Sequence, residues 1–132
     1  MATGEERWRF ATGAWGSGTP AVSDGSGFFG SFDWNIDAVD AAIGRERWRF
    51  STGAPIYSSP AVANGVLYSD SHDGNLYALD IATGEEKWRF VTEDKVKSSP
   101  VVARGVVYIG SYDKHLYAVD AESGEEIWRF ET

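Results

Sequence analysis

The chain of 132 residues has the length of one domain, and its 42% hydrophobic and 14% aromatic content is too rich for a disordered protein. Its net charge of −8 argues against nucleic-acid partners, and the absence of cysteine excludes disulfides and thiolate metal sites. Because the sequence has neither a basic, apolar leader nor a long apolar run, we expect no signal peptide and no membrane insertion, while the compartment stays open.

The chain begins with a segment that returns three times at a step of 40 residues. The four copies read GEERWRFAT at 4–12, GRERWRFST at 44–52, GEEKWRFVT at 84–92 and GEEIWRFET at 124–132. No insertion or deletion interrupts the period. Such self-similarity is typical of repeat architectures in which each unit packs on its neighbours.

The first repeat departs most from this period. Asp37 stands where the other repeats have tyrosine, and Trp34 stands at the position of Gly74. The segment Gly25-Ser26-Gly27 loosens the predicted turn into the second strand. We expect this repeat to be either weaker or specialised as a contact surface, and we favour the weaker unit.

The middle repeat predicts four short strands, at 58–63, 66–69, 75–80 and 86–90. Asn64-Gly65 and Asp73-Gly74, which join them, are two-residue hairpin signals because both central positions of a type I′ turn need positive φ. The third strand ends at Asp80, whose carboxylate can accept bonds from backbone N–H groups of the next turn.

Alternation along these strands indicates how the sheets pack. On the third strand, Leu76 and Ala78 face one way while Tyr77 and Leu79 face the other, so both faces are apolar and both need cover. The fourth strand alternates aromatic with charged residues, which is typical of a half-exposed outer strand. A two-sheet sandwich, the other architecture considered, would alternate cleanly on most strands.

We therefore predict an all-β chain of β-propeller blades, each with four antiparallel strands and the length of a WD40-like blade. The 132 residues form a single unit with approximate blades at 13–52, 53–92 and 93–132, preceded by an extra outer strand at 4–12.

The repeat resembles the pyrroloquinoline-quinone-type (PQQ-like) propeller repeat. The resemblance lies in GSYD at 110–113, LYAVD at 116–120, Ser123-Gly124 and Trp128. It implies that the tryptophan of each last strand docks on the neighbouring blade. It also implies inter-blade structural roles for three sets of repeated residues: Trp8, Trp48, Trp88 and Trp128; Gly44, Gly84 and Gly124; and Asp40, Asp80 and Asp120.

Three blades cannot close a ring, since closed propellers have about four to eight. An open arc would leave two apolar faces of roughly 400 Å² each. We expect self-association, with a dimer favoured that builds a six-bladed ring by trading strands at the junctions. The strict period fits equally well an excised or engineered piece of a longer repeat protein.

Candidate chemical groups do not form a catalytic constellation. His72 and His115 occupy non-equivalent repeat positions, and the oxygens of 70–75 lack the spacing of an EF-hand. The glutamates at positions 6, 46, 86 and 126 recur in every copy, whereas an active site needs one asymmetric cluster. We expect them to pair with the arginines three residues later or with backbone.

These observations predict a non-catalytic scaffold or protein-binding module with no cofactor. The resemblance also implies two branches, quinoprotein dehydrogenases that hold pyrroloquinoline quinone with calcium and the lipid-anchored propeller of the outer-membrane barrel-assembly machinery. A module that binds a sugar or quinone, or a remnant of such a dehydrogenase, is the alternative.

Overall fold

The computed structural model describes residues 16–23, 25–31, 34–56, 59–96 and 99–131, and the predicted extra strand at 4–12 lies outside these ranges. No helix that could cross a bilayer occurs among the described residues. They form twelve β-strands: β1 Gly16–Ser23, β2 Ser26–Ser31, β3 Asn35–Asp40, β4 Glu46–Ser51, β5 Ala61–Ala63, β6 Val66–Asp70, β7 Asn75–Asp80, β8 Glu86–Val91, β9 Val101–Ala103, β10 Val106–Gly110, β11 His115–Asp120 and β12 Glu126–Glu131.

The strands form three antiparallel sheets of four, each ordered as in the sequence: β1–β4 (blade 1), β5–β8 (blade 2) and β9–β12 (blade 3). The predicted all-β fold of four-stranded propeller blades is therefore confirmed. Strand β5 begins at Ala61, later than predicted. Pro60 has no N–H to donate to a ladder, and the N–H of Ser59 donates instead to Ser99 Oγ of blade 3, at 2.9 Å.

Of the two predicted two-residue turns in blade 2, one has the expected geometry and the other does not. Asn64 and Gly65 both have positive φ, as a type I′ turn requires, but at Asp73-Gly74 only the glycine does, with φ 90°. There the chain makes a longer turn closed by Gly74 N–H donating to Ser71 O. Ser71 Oγ accepts the N–H of Asp73, and this bond holds the wider turn.

The turn between β1 and β2 is not loosened by its extra glycine, contrary to the prediction. Ser23 pairs with Ser26, as Ala63 pairs with Val66 in blade 2. Gly25 supplies the positive φ, 73°, while Gly27 is held in the ladder between two strands.

The blades stack face to face, with β1, β5 and β9 next to one another as the inner strands. We call the side of a blade that meets the next blade its trailing face, and the opposite side its leading face. A buried cluster lies between each pair of blades. Between blades 1 and 2 it comprises Phe28, Ile36, Ala38, Trp48, Ile56, Leu67, Tyr77 and Leu79; between blades 2 and 3 it comprises Tyr68, Leu76, Ala78, Val96, Val107, Ile109, Tyr117 and Val119. The predicted alternation on β7 is confirmed, because its two faces enter different clusters.

At the residues that the structure describes, the two end faces of the array differ in exposure. The trailing face of blade 3 is open at Trp128, which is 44% exposed, and at Phe130, which is 62% exposed. On the leading face of blade 1, by contrast, Asp37 and Val39 have no exposed surface. The buried carboxylate of Asp37 is compensated by the guanidinium of Arg49, at 2.8 Å.

Candidate functional site: the contacts between blades

The tryptophan of each fourth strand reaches from its trailing face into the next blade. Trp48 Nε1 donates to Ile81 O at 2.8 Å, and Trp88 Nε1 donates to Ala121 O at 3.0 Å. Each indole thereby buries its apolar body while its one donor finds an acceptor. Trp8, for which the same inter-blade contact is predicted, lies outside the described residues.

A glycine lies beneath each of these indoles. Gly84 and Gly124 both have φ 77°, and a β-carbon on either one would lie 2.6 Å from the ring of Trp48 or Trp88. Glycine is therefore needed twice, once for the left-handed backbone and once for the close approach of the indole. Gly44 has φ 74° at the same place in blade 1.

The repeated aspartates shape the turns that carry these acceptors and glycines. Asp80 Oδ1 accepts the N–H groups of Ala82 and Thr83, at 2.8 and 3.3 Å. Asp40 and Asp120 do the same in their own blades. The N–H donors of the turn keep the pKa of Asp120 below its usual value. Asp80 and Asp120 thus hold the turns on which Trp48 and Trp88 of the preceding blades rest.

A second contact between blades was not predicted from the sequence. Thr52 Oγ1 donates to Trp34 O within blade 1 and lies 3.1 Å from Ser71 Oγ of blade 2. Thr92 and Ser111 repeat this contact between blades 2 and 3, at 3.3 Å. The available signal was the period itself, since both the threonine and the serine recur every 40 residues.

A tyrosine–aspartate pair forms a third contact that the sequence did not reveal. The hydroxyl of Tyr77 donates to Asp73 Oδ2, which also accepts the N–H of Gly53 from the segment before β5, at 2.9 Å. The ring of Tyr77 packs edge-on against Phe50 of blade 1 and under the guanidinium of Arg89, 5.0 Å away. Burial raises the pKa of Tyr77 to about 12.

The repeated glutamates lie outside the inter-blade clusters and form ion pairs. Glu46, Glu86 and Glu126 each bind the arginine three residues later, as predicted, with distances of 3.0, 2.7 and 2.7 Å. The hydrogen bond from Arg89 lowers the pKa of Glu86. Such exposed pairs contribute little stability, on the order of 0–1 kcal/mol.

The two histidines lie in different blades, His72 in blade 2 and His115 in blade 3. His72 lies in the turn before β7, where burial and then Lys95 lower its pKa, and its ring is 6.4 Å from that of Tyr112. His115 begins β11 and contacts Asp113. In the described part of the chain, no three His, Asp or Glu side chains are placed to hold a metal ion.

The repeated aspartates do not fit a centre of pyrroloquinoline quinone with calcium. The carboxylates of Asp73 and Asp113 accept bonds from a tyrosine and from backbone, and those of Asp40, Asp80 and Asp120 hold their turns. These five repeated carboxylates of the described chain are therefore engaged in turns or in contacts between blades, and calcium would have to displace those bonds.

The trailing face of blade 3 repeats the interior arrangement without a partner blade. Tyr108 and Trp128 have ring centroids 6.1 Å apart, against 5.9 Å for Tyr68 and Trp88 inside the stack. The same residues that bury the contact between blades 2 and 3 thus lie at the end of the described array.

Comparison with known proteins agrees with this geometry. A family model described as "Outer membrane protein assembly factor BamB" matches residues 33–132. The chain belongs to this family of PQQ-like propeller repeats. No curated protein matches the sequence at a significant level.

The solved structures to which the chain is similar include proteins of very different kinds. BamB from Moraxella catarrhalis is 21% identical with a TM-score of 0.79, over 89% of this chain and 37% of its own. Quinohemoprotein alcohol dehydrogenase ADHIIG from Pseudomonas putida HK5 is 27% identical with a TM-score of 0.78, over 90% and 22%. The computationally designed Ika4 protein is 16% identical with a TM-score of 0.87, over 97% and 80%.

The chain spans well under half of the BamB and dehydrogenase structures that it matches. Because similar structures include both a dehydrogenase and a designed protein, the fold by itself assigns no reaction. It does establish a propeller segment built of PQQ-like repeats.

Proposed function

We propose that this PQQ-like propeller segment is a non-catalytic scaffold that assembles with a second copy of itself. The trailing face of blade 3 is the binding surface. The observation that carries the proposal is the exposure of Trp128 and Phe130, at 44% and 62%, on a face whose equivalents in blades 1 and 2 are buried or half-buried.

Continuity with the interior contacts supports this surface. Tyr108, Leu116, Ala118, Trp128 and Phe130 occupy the repeat positions of blade 2 residues in the cluster with blade 3: Tyr68, Leu76 and Ala78, which are buried, and Trp88 and Phe90, which are half-buried. Removing an apolar sheet face of this kind from water lowers the free energy and so favours association. A second copy is the occupant that carries matching faces of the same dimensions.

The burial of Asp37 and Val39 favours a two-fold arrangement of the copies. A head-to-tail ring would need an open leading face on blade 1, and at these two residues that face is already covered. Two trailing faces that meet around a two-fold axis need only one open surface per chain. The resulting dimer holds six blades.

The size of the face sets the expected affinity. Two sheet faces of roughly 400 Å² bury roughly 800 Å² in total, which is below the range of stable protein interfaces. We therefore expect a reversible dimer whose population depends on protein concentration.

Sedimentation equilibrium or light scattering after gel filtration, from about 5 to about 500 µM chain, tests the proposal. We expect the mean mass to rise from that of a 14.5 kDa monomer towards twice that value. Phe130→Glu should abolish the rise, because the dimer would bury its charge.

Trp34→Glu is the matched control, since Trp34 is a similarly exposed aromatic, at 50%, in the turn between β2 and β3 of blade 1. Its dimerisation should equal that of the unmodified chain. A mass that stays at 14.5 kDa over the whole range, or equal loss in both variants, would contradict the proposal.

A further inference from the structure

The outer strand of blade 3 carries an isoleucine where the other two described blades carry a cation. Ile127 occupies the repeat position of Arg47 and Lys87. It is 50% exposed and directly precedes Trp128, which is exposed as well. Single exposed apolar residues are common, but one that adjoins an open apolar face enlarges that face.

In every described blade this position is the extra residue of a β-bulge at the outer edge. The pairing of β11 with β12 passes from Trp128 to Glu126 and leaves Ile127 without a partner in β11. The register shifts in the same way at Arg47 and at Lys87. Bulges redirect a side chain, and charged residues at a sheet edge oppose contact with other chains. Blade 3 keeps the bulge but not the charge.

The contact between blades 2 and 3 shows what the residue in the bulge meets. Lys87 lines a groove of about 530 Å³ together with Val66 and Tyr68, which belong to the trailing face of blade 2. The opposite wall comes from blade 3 and includes the carboxylates of Asp120 and Glu122. The bulge therefore lies at the rim of the trailing face, and in blade 2 its positive charge complements the acidic turn of the next blade.

The same rim is apolar in blade 3. Ile127 replaces Lys87, while Val106 and Tyr108 stand where blade 2 also has valine and tyrosine. Val106 and Tyr108 are both half-buried, and the Tyr108 ring lies 6.1 Å from that of Trp128. The open trailing face therefore continues from the indole to the bulge, where the interior contact has an ammonium group.

Two kinds of partner surface differ in what they would bring to Ile127. The leading face of a further blade brings an aspartate, since the turn between the third and fourth strands begins with Asp40, Asp80 or Asp120 in the three blades. An isoleucine beside a carboxylate would remove water from the charge and give no bond in return. A second trailing face brings aromatic and aliphatic side chains, whose apolar surface is buried at the same time.

We propose that Ile127 selects the trailing face of a second copy of this chain over the leading face of a further blade. This inference rests on the proposed dimer and names the residue that fixes its partner. Lys87 suits the corresponding edge of blade 2 to the acidic turn of blade 3. Ile127 removes that preference and adds apolar area to the contact between copies.

Ile127→Lys tests the inference, because it restores the residue that blade 2 carries in the same bulge and should leave the fold of the monomer intact. By sedimentation equilibrium we expect the dimer of this variant to be about tenfold or more weaker, since its ammonium group would be buried against an apolar face. Ile127→Leu keeps the apolar volume and should dimerise within about threefold of the unmodified chain. Urea unfolding at a monomeric concentration should give the same stability for all three proteins.

A mixture of chains distinguishes the two partner surfaces. Labelled unmodified chain at trace concentration is titrated with the Ile127→Lys variant. If two trailing faces meet, each mixed dimer contains one lysine and is weaker than the unmodified dimer. An affinity as high as that of the unmodified dimer would mean that the unmodified trailing face binds a leading face, and the inference would be wrong.

Ile43→Lys is the matched control, since Ile43 is an exposed isoleucine in the turn between β3 and β4 of blade 1. Its dimer should be as strong as that of the unmodified chain. Equal affinity in Ile127→Lys and the unmodified dimer, or equal losses in Ile43→Lys and Ile127→Lys, would overturn this inference and leave dimerisation itself standing. An unmodified chain that stays monomeric would refute both.

Discussion

The indole of Trp48 rests directly on the α-carbon of Gly84 in the next blade, so closely that a β-carbon on that glycine would lie 2.6 Å from the ring. The same indole donates to Ile81 O, three residues before the glycine. One turn of blade 2 therefore supplies both the surface and the acceptor for the tryptophan of blade 1. Trp88 and Gly124 repeat this relationship between blades 2 and 3.

Gly84→Ala should destabilise the chain by about 2–4 kcal/mol, because it strains a left-handed backbone and displaces Trp48. Gly65→Ala is the control, since Gly65 has nearly the same φ, 75°, with nothing within 4 Å of its added β-carbon. It should cost about 1–2 kcal/mol. Urea unfolding measures both, and equal losses would mean that the indole contact contributes nothing.

Trp88→Ala should cost about 3–5 kcal/mol, because it empties a contact between two blades. Trp128→Ala removes the same residue from the open face and should cost less than about 1 kcal/mol when measured at a monomeric concentration. Trp34→Ala, at an exposed turn, should also have a small effect. Similar, small losses for all three variants would show that the inter-blade contacts are misassigned.

Thr92→Val should destabilise by about 1–3 kcal/mol, because Thr92 Oγ1 is buried and donates to backbone oxygen, with Ser111 Oγ at 3.3 Å. Thr83→Val makes the same chemical change in an exposed turn, where Thr83 Oγ1 accepts only the N–H of Glu85. Its cost should be about 0.5 kcal/mol or less. Chemical denaturation of the two variants compares their free energies of unfolding. A larger loss in Thr92→Val shows that the buried hydrogen bonds matter, whereas equal losses would show only the effect of removing a hydroxyl group.

Stability should fall at alkaline pH through Tyr77 and Tyr117, whose pKa values burial raises from 10.0 to about 12. Both states keep the phenol protonated below about pH 10, so the stability is unchanged there. Above this pH the unfolded chain loses its proton first, and stability declines as pH rises through 12.

Urea unfolding at about pH 9 and about pH 11 measures this decline. Tyr77→Phe should weaken the pH dependence, since it removes one of the two titrating groups. In Tyr112→Phe, which changes an exposed tyrosine, the dependence should stay as in the unmodified chain. An identical pH dependence in all three proteins would rule out Tyr77 as its source.

Much of the fold was readable from short stretches of sequence. The turn at Asn64-Gly65, the alternation on β7 and the Glu–Arg pairs follow from residues within a few positions of one another, where steric limits and side-chain direction act directly. The turn at Asp73-Gly74 was mispredicted, because Ser71 Oγ competes for the backbone donor and holds a wider loop.

The sequence by itself determined the period, the four-stranded blades and the apolar character of both sheet faces. Only the tertiary structure decided which atoms meet between blades, such as Trp48 with Ile81 O and Thr52 with Ser71. It also decided that one end face is open, and that Lys87 and Arg104 line one groove. The reason is physical: local steric rules set the shape of each strand and turn, whereas contacts between sheets depend on how twisted sheets are offset when they stack.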